Sequence, residues 1–180
     1  MNLPNILTLS RIVMIPLMVV SFYWFGAQGK VVAAGLFAVA AVTDWFDGYL
    51  ARKLNQTTPL GAFLDPVADK LIVAVALVLL VEHFSTIWLT LPAAIIVGRE
   101  IVISALREWM AELGKRANIA VSYIGKVKTA AQMGSITVLM GGEDFPWIVD
   151  LGYIALYVAA VLTIWSMTVY LKAAWPDLRS

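Results

Sequence analysis

Four aspartates in the first half of the chain are spaced as metal ligands would be on two helices. Asp44 and Asp47 are three residues apart, and Asp65 and Asp69 are four apart. Because an α-helix has about 3.6 residues per turn, the members of each pair share one helix face. Two such faces opposed would form a cage of hard oxygen ligands, which suits Mg²⁺, Mn²⁺ or Ca²⁺ rather than zinc. The spacing therefore predicts a metal site built from these four carboxylates.

A carboxylate cage of this size has room for two ions and suits the transfer of a phosphoryl group. Two metal ions about 3.5–4 Å apart clamp a diphosphate and stabilise both the attacking and the leaving oxygen of an in-line displacement. A carboxylate that ligates dications has a lowered pKa and is a poor base, so the general base should be the acid with the fewest metal contacts. Asp69, the last of the four acids, is our candidate for that role.

The composition places these acids in a membrane protein. The chain is 61% hydrophobic with a mean hydropathy of +0.84, above the roughly 45–50% apolar content of soluble domains. A net charge of +1 gives no sign of a nucleic-acid partner, and the absence of cysteine excludes disulfides and thiolate metal sites. The N-terminus has neither a charged leader nor a clear cleavage site, so we expect it to be retained.

Long apolar runs predict the elements that hold the acids in place. We expect an all-α membrane protein, one domain over residues 1–180, in which six transmembrane helices follow a short N-terminal interfacial helix. The interfacial helix covers residues 2–11, with Arg11 snorkelling from it to the membrane surface. The predicted spans cover residues 12–25, 31–54, 60–81, 87–110, 119–140 and 148–174. This arrangement brings both acid pairs to the same membrane face.

The distribution of basic residues predicts which face that is. With six spans, only Lys30 among the 13 Lys and Arg residues falls on the side opposite to the acids. Because loops rich in Lys and Arg stay in the cytoplasm, we expect the acids and both termini at the cytoplasmic face. His83, the only histidine, falls in a predicted loop at the far face, where we expect a solvated residue rather than a metal ligand.

Residues between the acids extend the aspartate spacing into a longer pattern. Written out, the pattern is Asp44-x2-Asp47-Gly48-x2-Ala51-Arg52-x8-Gly61-x3-Asp65-x3-Asp69. It resembles, at every fixed position, the signature of the CDP-alcohol phosphotransferase family. The resemblance implies a dimeric, metal-dependent enzyme of a bacterial inner membrane, in which an alcohol hydroxyl displaces CMP from a CDP-linked lipid. It also implies that the four aspartates hold Mg²⁺ or Mn²⁺ and that Asp69 doubles as general base.

The resemblance also indicates residues that would bind the lipid donor. The bare backbone at Gly48 and Gly61 lets a nucleotide come close, and Arg52 either offsets diphosphate charge or anchors the helix at the interface. Related enzymes line the nucleotide pocket with polar residues of an N-terminal helix, which here would be Thr8 and Arg11. The predicted CDP-lipid site comprises Thr8, Arg11, Asp44, Asp47, Gly48, Ala51, Arg52 and Gly61.

Segments outside the aspartate motif bear on the acceptor. LTLSR before the motif, and REIVISALREW and IGKVKT after it, are similar to the branch of the family that transfers phosphatidyl from CDP-diacylglycerol to glycerol 3-phosphate. Cations inside spans usually face a polar cavity, so four of them are predicted to bind the acceptor phosphate. These are Arg99, Arg107, Lys126 and Lys128. The alternative is internal pairing with the nearby acids Glu100, Glu108 and Glu112.

Other functions are compatible with parts of the pattern. The acceptor could instead be inositol phosphate, serine or phosphatidylglycerol. An intramembrane prenyltransferase also holds a diphosphate with paired aspartates, but it does not explain the intervening glycines and Arg52. A cation carrier would use the acids as an ion path, which their clustering at one face disfavours. A homodimer would find close-contact positions at the small residues Gly134, Ser135, Gly141 and Gly142, although these serve packing within one chain equally well.

Overall fold

The computed structural model is all-helical. It describes residues 3–54, 59–112, 114 and 123–178, and within these ranges it describes all side chains except those of residues 3–4, 45–54, 59–60, 62, 123–124 and 176–178. The described part contains six helices: α1 Leu3–Trp24, α2 Gly26–Leu54, α3 Pro59–Phe84, α4 Ile87–Glu112, α5 Tyr123–Gly141 and α6 Pro146–Leu178.

The N-terminal region differs from the predicted interfacial helix followed by a separate span. Residues 3–24 form the single continuous helix α1, with Pro16 inside it. Nearly every residue from position 12 onward is apolar and no glycine interrupts the run, so the helix continues without a break. It ends where Gly26 adopts a φ of +58°, a left-handed conformation that glycine takes readily at a helix end.

Among the other helices, α4 and α6 agree closely with the predicted spans, whereas α2 begins at Gly26, five residues before the predicted span over 31–54. The loop predicted over residues 82–86 is shorter, because α3 continues to Phe84 before Ser85 takes a φ of +45°. Thr86 directly precedes α4, and its side-chain oxygen accepts a hydrogen bond of 3.4 Å from the Trp88 amide, as an N-cap residue does. The turn predicted near residues 55–58 and the predicted start of the fifth span at 119–122 lie outside the described residues.

Four of the described helices carry stretches long and apolar enough to cross a membrane. These stretches are Asn5–Trp24, Gly26–Asp44, Ile87–Glu112 and Pro146–Trp175. The helices α3 and α5 are not among them. In α3 the apolar run is interrupted near its start by Asp65, Asp69 and Lys70.

Helix packing leaves an apolar surface as well as an apolar core. The helix α1 packs against α2 and α3, while α5 packs against α6 and α2. Phe37, Leu77 and Leu156 are among the fully buried side chains at these contacts. Large apolar residues are also exposed around the bundle, among them Trp24 and Trp147 near helix ends. Such a surface is typical of a protein surrounded by lipid, with aromatic rings at the interfaces.

A polar cluster closes the end of the bundle that is farther from the acids. Glu143, in the turn between α5 and α6, accepts hydrogen bonds of 2.6 and 2.7 Å from Lys30 Nζ, and its Oε2 lies 2.6 Å from Nε2 of His83. His83 is therefore a partly buried member of a three-residue cluster in the last turn of α3, and the prediction of a solvated loop residue is wrong. Partial burial raises the pKa of Glu143, but the hydrogen bonds and charges of Lys30 and His83 outweigh it and lower the pKa below its ordinary value.

Candidate functional site

Three of the predicted metal-binding aspartates converge on one arginine. Arg11 Nη1 donates a hydrogen bond of 2.8 Å to Asp44 Oδ1, and it also contacts Asp69 Oδ1. Arg11 Nη2 lies 3.4 Å from Asp65 Oδ1. The contacts join α1, the end of α2 and the first half of α3. Asp44 from one predicted pair thus lies beside Asp65 and Asp69, the two members of the other.

Arg11 is buried, and the predicted snorkelling to the membrane surface is wrong. Its side chain is 1% exposed, whereas the side chains of Asp44, Asp65 and Asp69 are 42%, 43% and 38% exposed. Burying a guanidinium costs several kcal/mol unless it is paired and hydrogen-bonded. The three carboxylates supply that pairing, and each keeps a solvent-facing side on which to bind a ligand.

Thr8 joins the same group from one turn earlier on α1. Its side chain is fully buried, and its hydroxyl donates a hydrogen bond to Asp65 Oδ1. Because Thr8 and Arg11 are three residues apart on a helix, they share the face that meets α3. The N-terminal polar residues are therefore held against the acids by the continuous helix α1.

The rest of the predicted donor site is only partly described. Gly61 is buried in α3 one turn before Asp65, which leaves this face of the helix without a side chain. The side chains of Asp47, Ala51 and Arg52, and the surroundings of Gly48, lie outside the described residues, although α2 continues through these positions to Leu54.

A cleft of about 260 Å³ opens beside the acids. It is bounded by α2, α3, α4 and α5, and it is smaller than the roughly 300–1,000 Å³ of sites for drug-sized ligands. Its lining residues are Asp44, Asp69, Lys70, Val73, Glu100, Lys128, Thr129, Gln132 and Met133. The size fits a small polar substrate rather than a whole lipid.

Of the four cations predicted to bind an acceptor phosphate, Lys128 lines this cleft. Lys128 is buried and its Nζ donates a hydrogen bond of 3.1 Å to Glu100 Oε1. Arg99 Nη1 donates to the same Glu100 oxygen at 2.8 Å, and Arg99 Nη2 donates to Ser166 on α6 at 3.3 Å. Glu100 therefore fixes both cations, so the internal pairing weighed from the sequence is present beside the cleft.

The other two cations face elsewhere. Lys126 is exposed, as expected for a residue two positions from Lys128 on one helix. The Arg107 guanidinium lies 5.3 Å from the ring centroid of Tyr170 on α6, a cation–π arrangement. Neither residue lines the cleft.

Several cleft residues did not stand out in the sequence. Gln132 and Thr129 belong to the first half of α5, and Lys70 directly follows Asp69. One signal was available, because Gln132 is four residues after Lys128 and thus on the same helix face. A polar amide in an otherwise apolar stretch at that spacing marks the face that turns toward the acids.

The acids suit a divalent ion by their chemistry. Their carboxylate oxygens are hard donors of the kind that Mg²⁺ and Mn²⁺ prefer, and they already surround one positive charge, that of Arg11. Among the residues with described side chains, no three acids or histidines are arranged to hold an ion on their own. Asp47, the fourth predicted ligand, is not among those residues.

Comparison with known proteins identifies the family of the chain. Residues 1–165 match the CDP-alcohol phosphatidyltransferase family. A CDP-diacylglycerol--glycerol-3-phosphate 3-phosphatidyltransferase from Yersinia pestis (strain Pestoides F) is 58% identical over 99% of this chain and 97% of its own length. Proteins of the same name from Yersinia enterocolitica and Salmonella choleraesuis are 57% and 56% identical over 99% and 98% of this chain, and over 97% of their own lengths. The chain therefore belongs to the CDP-alcohol phosphatidyltransferase family.

Proposed function

We propose that this protein is a bacterial phosphatidylglycerophosphate synthase. It transfers the phosphatidyl group from CDP-diacylglycerol to the 1-hydroxyl of sn-glycerol 3-phosphate and releases CMP. The observation that carries the proposal is the cleft in which Asp44 and Asp69 on one side meet the buried cation Lys128 on the other. Such a cleft offers groups for a reacting hydroxyl and for a phosphate within one small cavity.

The aspartates and Arg11 form the binding site for the CDP-lipid donor. Asp44, Asp47, Asp65 and Asp69 would hold two Mg²⁺ or Mn²⁺ ions, which when bound neutralise the diphosphate and stabilise the leaving oxygen of CMP. Arg11, fixed among three of these acids, keeps their carboxylates close together and adds a cation for the diphosphate. Thr8, Gly48, Ala51, Arg52 and Gly61 complete the proposed CDP-lipid site.

The acceptor enters the cleft with its phosphate toward Lys128. Lys128 is held by Glu100, and Arg99 behind it adds a second positive charge. Asp69 takes the proton of the 1-hydroxyl as that oxygen forms a bond to the phosphatidyl phosphorus and the bond to the CMP oxygen breaks. The proposed acceptor contact is thus closest for Lys128 and indirect for Arg99, whereas Arg107 and Lys126 would act only through the wider positive field.

The proposed topology has six spans and an active site at the cytoplasmic face. Four helices are long and apolar enough to cross the membrane, and α3 and α5 pack among them. Nearly all Lys and Arg residues then lie at the acid end, which the positive-inside rule places in the cytoplasm together with both termini. Soluble glycerol 3-phosphate reaches the cleft from there, while CDP-diacylglycerol arrives from the bilayer.

We also propose a homodimer, which rests on the family resemblance and on one exposed small residue. Ser135 donates a buried hydrogen bond of 2.8 Å to the Gly152 carbonyl, and a side chain at Gly141 would lie 2.9 Å from Ala34. These two small residues serve packing within the chain. Gly134 is exposed and faces open space. Crosslinking from residue 134 in a native membrane should trap a dimer, and recovery of monomer alone would refute it.

CMP release by the purified protein tests the proposed activity. We expect release to require CDP-diacylglycerol, glycerol 3-phosphate and Mg²⁺ or Mn²⁺ together. Release with inositol phosphate, serine or phosphatidylglycerol but not with glycerol 3-phosphate would change the acceptor and leave the family unchanged. Turnover of a prenyl diphosphate, or metal flux in liposomes without a CDP-lipid, would instead support the two more distant functions.

A further inference from the structure

Gln132 is a buried amide in the wall of the cleft. Its side chain is 5% exposed, and its Oε1 has no hydrogen-bond partner among the described residues. Most buried polar atoms in proteins do have partners, because a buried acceptor without one loses its bonds to water and gains nothing in return. An unpartnered amide oxygen on a side chain that lines a substrate cleft is therefore a group that a ligand can satisfy.

Most of the other polar side chains of the cleft already have partners within the chain. Glu100 accepts hydrogen bonds from Lys128 and Arg99, and the Thr129 hydroxyl donates one of 3.0 Å to the Gly125 carbonyl. Asp44 and Asp69 contact Arg11. Gln132 Oε1 is thus the buried acceptor in this wall that has no protein partner in the described part of the chain.

The position of Gln132 indicates which group of the acceptor its side chain would contact. Gln132 lies one helical turn after Lys128 on α5, so the two side chains share a face, and Asp69 on α3 lies across the cleft. A three-carbon acceptor whose phosphate binds Lys128 and whose 1-hydroxyl meets Asp69 has a single polar group left between them. That group is the 2-hydroxyl, which carries a proton to donate.

We propose that Gln132 is a specificity-determining residue that accepts a hydrogen bond from the 2-hydroxyl of the acceptor. The inference rests on the proposed function and adds to it the residue that recognises the acceptor hydroxyl next to the carbon that reacts. Val73 and Met133, which also line the cleft, are apolar and offer no substitute bond. An acceptor without the 2-hydroxyl therefore leaves Gln132 buried and unpaired.

The test compares two acceptors that differ by this hydroxyl. The acceptors are sn-glycerol 3-phosphate and 3-hydroxypropyl phosphate, and kcat/KM for each is measured on the purified wild-type protein with CDP-diacylglycerol. Sites that hydrogen-bond a substrate hydroxyl discriminate strongly against analogues that lack it, so we expect a preference of about 100-fold or more for glycerol 3-phosphate. Equal use of both acceptors by the wild type would overturn the proposal without any variant.

Three variants separate recognition from general damage. Gln132→Met keeps the length of the side chain without the amide, and it should lower kcat/KM for glycerol 3-phosphate while leaving that for 3-hydroxypropyl phosphate nearly unchanged. Gln132→Glu keeps an acceptor oxygen and should retain the preference. Thr129→Val changes a cleft residue whose hydroxyl is already bonded to Gly125 and should also retain it. An equal loss for both acceptors in Gln132→Met would assign Gln132 to packing and overturn the proposal.

Failure of the inference differs from failure of the proposed function. If the wild type releases no CMP with glycerol 3-phosphate, the proposed function is wrong and the inference that rests on it falls too. If the wild type uses glycerol 3-phosphate but Gln132→Met keeps the full preference, only the inference is wrong. Should Gln132→Met not fold, as judged by size-exclusion chromatography, loss of the preference in Gln132→Asn, which shortens the amide, supports the inference, and a full preference there overturns it.

Discussion

Arg11 Nη1 on α1 lies 2.8 Å from Asp44 Oδ1 on α2, so that a buried cation sits at the centre of the acids predicted to bind metal. The same guanidinium contacts Asp65 and Asp69 on α3. In this arrangement Arg11 balances negative charge that would otherwise repel. The arginine and the proposed metal ions therefore stabilise the same carboxylates.

Replacing Arg11 should make the stability of the protein depend on metal. In Arg11→Met, three carboxylates face one another without their buried partner. Breaking a buried ion pair costs about 3–5 kcal/mol, and the cost here is reduced because the acids are partly exposed. We expect a Tm several degrees lower in EDTA and a larger rise with Mg²⁺ than in the wild type. Arg107→Met is the control, since that guanidinium stacks on Tyr170, and an equal Mg²⁺ response in all three proteins would contradict the prediction.

The asparagine variants of Asp69 and Asp65 should affect different steps, with turnover lowered at Asp69 and donor binding weakened at Asp65. If Asp69 is chiefly the base, Asp69→Asn lowers kcat by about 10²–10⁴-fold while donor affinity at saturating Mg²⁺ stays near the wild-type value, because donor binding needs no proton transfer. Asp65→Asn, which also removes the negative charge that Thr8 and Arg11 contact, should weaken donor binding. CDP-diacylglycerol titrations and single-turnover rates distinguish the two, and an equal loss of donor affinity would make Asp69 mainly a ligand.

Two lysines on α5 should contribute unequally to acceptor binding. Lys128 is buried in the cleft wall, whereas Lys126 is exposed outside it. Removing a charge-assisted contact to phosphate costs about 1.5–3 kcal/mol, so we expect Lys128→Met to raise the KM for glycerol 3-phosphate by about 10-fold or more. Lys126→Met should change it by about 2-fold or less, because an exposed charge at longer range is screened. Steady-state kinetics with saturating donor measure both, and similar KM values would contradict this assignment.

The cluster at the far end should stabilise the protein only above mildly acidic pH. The folded-state pKa of Glu143 is lower than its unfolded value, which is about 4.3 for Glu. Its contribution is therefore fully present above that unfolded value and is lost as the pH falls through the folded pKa. We expect Glu143→Gln to lower the Tm by a few degrees at pH 7 and by progressively less as the pH falls below about 4. Asp144→Asn changes an exposed neighbour and is the control, and a Tm difference for Glu143→Gln that persisted unchanged at acidic pH would contradict the prediction.

Close packing of the α5–α6 turn should make Gly142 intolerant of a side chain. A Cβ there would contact Ile148 and would lie 2.7 Å from the Val138 carbonyl oxygen. Since the backbone must shift to relieve that contact, we expect Gly142→Ala to destabilise the protein by about 1–3 kcal/mol. Gly98→Ala is the matched control, because Gly98 faces open space within α4 and alanine favours a helix. Thermal unfolding in detergent compares them, and equal Tm values would show that the turn relaxes without cost.

Local patterns in the sequence determined the helices, the pairing of the acids and the family. Helical periodicity acts over one or two turns, so the spacing of Asp44 with Asp47 and of Asp65 with Asp69 specifies a shared face before any tertiary structure forms. The length of the apolar runs likewise specified the helices, with bounds close to those observed for α4 and α6. The family motif is also a local pattern, and the match over residues 1–165 agrees with it.

Contacts between distant helices were decided only by the tertiary structure. Helical periodicity does not indicate that Arg11 turns inward, because snorkelling and burial place the same residue type at the same helix position, and only the family resemblance pointed to the nucleotide pocket. The three acids that pair with Arg11 come from α2 and α3. The local sequence also does not indicate that His83 contacts Glu143, 60 positions away, or that Lys128 rather than Lys126 lines the cleft. Gln132 faces the cleft because α5 is rotated by its packing against α2 and α6, and that rotation depends on the summed contacts of the whole bundle.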